Sequence, residues 1–102
     1  MTSGLEHIED SEPLYTADSV RMLFTEGARD MATYAEAKPI AHPPGSHFTY
    51  STADTMILSD LMTRMLTNSD QPDRRRSAME EFIRGRLMTP AGLSSLTPEY
   101  DA

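Results

Sequence analysis

The chain has 102 residues, with no cysteine or tryptophan, eight methionines and one lysine against eight arginines; this length allows one small domain that buries roughly two thirds of its unfolded surface. A formal charge of −7 repels phosphate backbones and anionic headgroups, which argues against nucleic acid and membrane surfaces as partners. Without cysteine there are no disulfides, zinc–thiolate sites or cysteine nucleophiles, although this does not fix a compartment.

Read in chain order, Met1 to Glu6 are polar, with neither the basic start nor the apolar stretch of a signal peptide. Glu6 to Pro13 is acidic and has no periodicity, so a surface loop is expected. A first helix is predicted from an N-cap at Asp18 or Ser19, with Val20, Leu23 and Phe24 facing inward and Gly27 stopping it. Asp30 caps a second short helix through Ala37 that presents Met31, Tyr34 and Ala35 to the core, and Pro39 ends it.

Pro39 to Thr49 holds three prolines and a glycine, a stiff connector that delivers Tyr50 at a defined angle. Ser51 or Thr52 then caps the strongest helix, with Ala53, Met56, Ile57, Leu61, Met65 and Leu66 at helical spacing and Leu58 and Met62 widening the face. Asp54, Ser59, Asp60 and Arg64 interrupt this segment, so it does not read as a membrane span. Asn68 to Pro72 forms a turn. A last helix is expected from about Asp73 to Leu87, with Ala78, Met79, Phe82 and Ile83 inward. Thr89-Pro90-Ala91-Gly92-Leu93 is expected to break it, leaving an irregular tail.

Arg74-Arg75-Arg76 is the only basic run, and Asp70, Asp73, Glu80 and Glu81 largely neutralise it, so it reads as a solvated helix start. His7, His42 and His47 do not share a helical face and are expected at the surface or supporting a neighbouring polar group, not around a metal. Glu80-Glu81 and Asp54 with Asp60 point to different helical faces and read as solvated charges. No cofactor is implied.

Met1-Thr2-Ser3-Gly4-Leu5, Pro44-Gly45 with Phe48-Thr49-Tyr50-Ser51-Thr52, and Phe82 through Leu93 with Thr97-Pro98 form an ordered set. Together they resemble successive landmarks of the serine β-lactamase and penicillin-binding-protein superfamily. Within it they look most like the class C-like serine hydrolases and the 6-aminohexanoate-oligomer hydrolase branch. That resemblance implies a mostly α chain, the helical lobe of a β-lactamase-like or transpeptidase-like α/β fold without its β-sheet layer, spanning 1–102 as a single partial domain.

It also implies acyl-transfer hydrolysis of an ester, amide or lactam. Tyr50 matches the tyrosine of the Tyr-x-Asn element and would shuttle protons. Thr52 stands where many members have Asn, and its hydroxyl offers one donor and a shorter reach. No serine precedes Lys38 by three residues, and no Lys-Thr-Gly or His-x-Gly triplet follows Tyr50. The chain is therefore expected to be an internal fragment, catalytically incomplete alone and given to self-association or to binding a complementary fragment. Two other readings compete: a helical interaction module with a Met-rich face, and a self-sufficient hydrolase pairing Tyr50 with Ser46 or Ser51.

Overall fold

The computed structural model describes residues 1–101 and is mostly helical, with no strand among them beyond an isolated antiparallel bridge between Leu5 and Ile40. The helices are α1 (Asp18–Phe24), α2 (Met31–Glu36), α3 (Thr52–Thr67), α4 (Pro72–Ile83) and a final turn α5 (Thr89–Ala91). The residues group into two compact units, Met1–Asp60 with Asp101, and Leu61–Tyr100.

The first unit is built around Met22, whose side chain is 0% exposed and is enclosed by Ala35 of α2 and Ala53 of α3. Two alanines leave room for one long, adaptable thioether, and Leu23, Met31, Tyr34, Met56 and Ile57 close around it. This corrects the expected face of α1, because Phe24 is 74% exposed. The cap also differs. Ala17 holds the N-cap position without a side-chain bond, and Ser19 Oγ donates to the Glu9 carbonyl.

Asp18 turns away from its own helix to accept from the Ile8 N–H at 2.9 Å, from the Tyr34 hydroxyl at 2.7 Å and from Lys38 Nζ. Burial opposes the charged carboxylate, but these three donors outweigh it and hold Asp18 below its ordinary range. Burial likewise disfavours the Lys38 ammonium, yet Asp18 and then Tyr34 raise its pKa overall.

α2 forms as expected, with Asp30 Oδ1 accepting the Thr33 N–H at 2.9 Å. The connector then runs back along the chain start. Gly4 O accepts from Ala41 and His42 N–H, Thr2 O from Gly45 N–H, and Met1 O from Thr49 N–H. Gly4 has φ +81° and approaches the His42 carbonyl so closely that a Cβ would sit 2.0 Å from its oxygen, so only glycine fits there.

In the second unit Met79 is the buried apolar residue. The helical path does not break where expected. From Arg84 to Met88 it widens into a π-helical turn in which the Thr89 N–H bonds to Arg84 O, and it continues to Ala91. Pro90 has no N–H, and its ring would strike a carbonyl four residues back; widening the preceding turn relieves that clash. Gly92, at φ +68°, ends the helix, with Gly92 N–H on Thr89 O and Leu93 N–H on Met88 O, the bond pair of a Schellman cap. None of the helices among the described residues is long and apolar enough to cross a membrane.

Candidate functional site

The start of α3 is fixed twice. Ser51 Oγ accepts the Asp54 N–H at 3.1 Å, and the Glu9 carboxylate accepts the Thr52 N–H at 3.0 Å and the Thr52 hydroxyl. These contacts satisfy amides that a helix N-terminus leaves open, and they place a carboxylate at its positive end. The backbone on either side of Tyr50 is held as well, by Thr49 N–H on Met1 O at 3.0 Å and by buried Ser51.

Tyr50 itself is 62% exposed. It follows a residue whose N–H is held on Met1 O. Thr52 is placed differently from a substrate-facing donor: its hydroxyl is engaged by Glu9. Ser46, in the connector, is exposed and donates to Pro43 O at 2.6 Å.

Beside Ser51 lies a cleft of about 140 Å³ lined by Ser3, His7, His42, His47, Ser51 and Asp54 among others. Thr49 and Ser51 line it and Tyr50 does not, so the chain alternates sides as it enters α3. The His7 side chain is only 2% exposed. Its Nε2 lies 3.2 Å from Ala35 O and its Nδ1 3.1 Å from Ser51 Oγ. A carbonyl can only accept, so Nε2 carries a proton and Nδ1 is the ring atom turned to Ser51.

Asp54, expected as a solvated charge, is buried. Its Oδ1 accepts from Ser3 Oγ at 2.8 Å and from Ser51 Oγ at 3.3 Å and lies 3.8 Å from His7 Nδ1, while Oδ2 pairs with the Met1 ammonium. A buried carboxylate needs such partners. His7, expected at the surface or supporting a neighbouring polar group, is internal. His42 and His47 are exposed, with ring centroids 4.5 Å apart. Among the described residues no three His, Cys, Asp or Glu side chains converge as they would around a metal ion.

The sequence offers Ser51 or Thr52 as the cap, and the structure uses Ser51; the pairing of Ser51 with His7 was not foreseen. The Ser51-x-x-Asp54 spacing before an apolar run was the available signal for the helix start, whereas nothing local marks a histidine 44 residues upstream. Compared with family models, curated proteins and solved structures, the chain gives no match in any of the three.

Proposed function

We propose that this chain is the tyrosine-bearing helical lobe of a β-lactamase-related serine hydrolase, and that Tyr50 carries protons for a serine and a lysine supplied outside these 102 residues. The reading rests on the resemblance of the Tyr50 segment. The observation that supports it is the exposed phenol on a backbone held from both sides. Such a group can reach a cleft completed by another part of the protein without losing its own anchorage. It would accept the proton of an attacking serine hydroxyl and return one to the leaving group of an ester, amide or lactam. For Thr52 to act in the same site, its hydroxyl would have to exchange Glu9 for substrate.

The test is to express the reading frame extended through the preceding coding sequence. A Ser-x-x-Lys element upstream is expected, with ester turnover that falls about 10²–10⁴-fold in Tyr50→Phe. No such element, or turnover indifferent to Tyr50→Phe, overturns the reading.

A second reading, a helical interaction module, is favoured by a different observation. Leu58, Leu61, Met62, Met65 and Leu66 of α3 are all exposed, a stripe broader than scattered surface apolar residues require. Strong binding of a hydrophobic dye by a chain that still melts cooperatively supports it.

A further inference from the structure

We propose that Ser51 and His7 form a nucleophile–base pair that is complete within this chain and acylates Ser51 from small activated esters. Three features carry it. Ser51 Oγ lies 3.1 Å from His7 Nδ1, within reach for proton transfer once its hydroxyl turns to Nδ1 from Asp54 Oδ1, to which it donates at 3.3 Å. His7 Nε2 is fixed on Ala35 O at 3.2 Å, which makes Nε2 the donor, holds the ring in place and leaves Nδ1 as the nitrogen that faces Ser51. Both residues line a cleft of about 140 Å³, comparable to the engineered cavity of ~150 Å³ that takes up benzene.

The surroundings suit the charges that develop. When Nδ1 takes the hydroxyl proton, the new imidazolium faces Asp54 Oδ1, 3.8 Å away. Asp54 is thus a positioning and charge-balancing residue.

The step balances without a co-reactant other than water. Ser51 Oγ bonds to the ester carbonyl carbon as its proton passes to His7 Nδ1. The tetrahedral intermediate collapses with cleavage of the carbon–alkoxide bond, and Nδ1 returns the proton to the departing alcohol. Water, deprotonated by the same nitrogen, then releases the acid and restores the serine.

The pair differs from the Tyr50 site proposed above, so the two can fail separately: this one is read on the 102-residue chain alone. The folded chain is treated with a fluorophosphonate and with p-nitrophenyl acetate, and adducts are located by intact mass and peptide mapping. A single adduct at Ser51 is expected, with labelling at least 10²-fold slower in His7→Gln, which keeps a hydrogen-bonding side chain but has no base. Ser51→Ala removes a helix cap and could unfold the segment, so Ser51→Asn, which retains capping, is the matched variant; it is expected to lose the adduct while keeping helical circular dichroism. Ser46→Ala leaves labelling unchanged. No adduct on folded chain, an adduct elsewhere, or equal labelling of His7→Gln overturns the proposal.

Discussion

The two units of this protein are held by different means. Met1–Asp60 with Asp101 carries eleven acidic and three basic residues, whereas Leu61–Tyr100 carries five and six, giving net charges of −8 and +1. The acidic unit nevertheless contains most of the buried polar residues, namely Asp18, Ser51 and Asp54, together with the alanine-lined Met22. Its segments are joined by side-chain bonds across long stretches of sequence, such as Ser3–Asp54 and Glu9–Thr52. In the second unit the regular elements rest on local helical bonds and caps, with a π-helical turn that absorbs Pro90. A net charge of −8 can coexist with a core because the inward-turned carboxylates each have donors, which a buried charge requires.

The contrast can be broken most directly at Met22. Met22→Ala is expected to cost about 2–5 kcal/mol, the range for deleting a fully buried large side chain, read as a lower urea midpoint at unchanged slope. On the scale of total domain stability this loss unfolds a large fraction of molecules.

Asp18→Asn comes next, at about 2–4 kcal/mol; it leaves the Lys38 ammonium without its carboxylate, and the cost is moderated because Lys38 is partly exposed. Its pH signature sharpens the comparison. Asp18 titrates lower in the folded chain than its ordinary 3.8, so its contribution is present above that pH and lost as pH falls through the native value. Lys38 titrates higher than its ordinary 10.5, so its contribution is present below that pH and lost as pH rises through the native value. Denaturation midpoints should therefore decline at both extremes in the parent chain and flatten in Asp18→Asn. Equal slopes in both proteins would show that the pair is not the source.

The smallest effect is expected in the second unit. Met65 is 80% exposed, so Met65→Ser should shift stability by no more than about 0.5 kcal/mol while reducing hydrophobic-dye binding. A large loss of stability there would mean that the α3 stripe is covered in solution.

Much of the helical outline was legible. The Asp30 cap, the short α2, the long apolar-faced α3 starting behind Ser51 and the buried Met79 all follow from spacing and cap chemistry. The misplaced features have identifiable causes. Phe24 was expected inward because its spacing puts it on one helical face with Val20 and Leu23, but the gap between Ala35 and Ala53 admits Met22. The helix was expected to stop before Pro90, but a π-helical turn accommodates the ring. At the candidate site, Tyr50 was visible as a tyrosine at a loop-to-helix junction, whereas His7, Glu9 and Asp54 read as solvated because their partners are remote in sequence.

The sequence alone determined most of where this chain coils and turns, since periodicity, caps, prolines and glycines act within about one helical turn. Tertiary structure alone decided which charged and polar groups go inside. A loop histidine and two aspartates can leave water only where donors and acceptors from distant segments meet them, and that meeting is a property of packing, not of any local pattern.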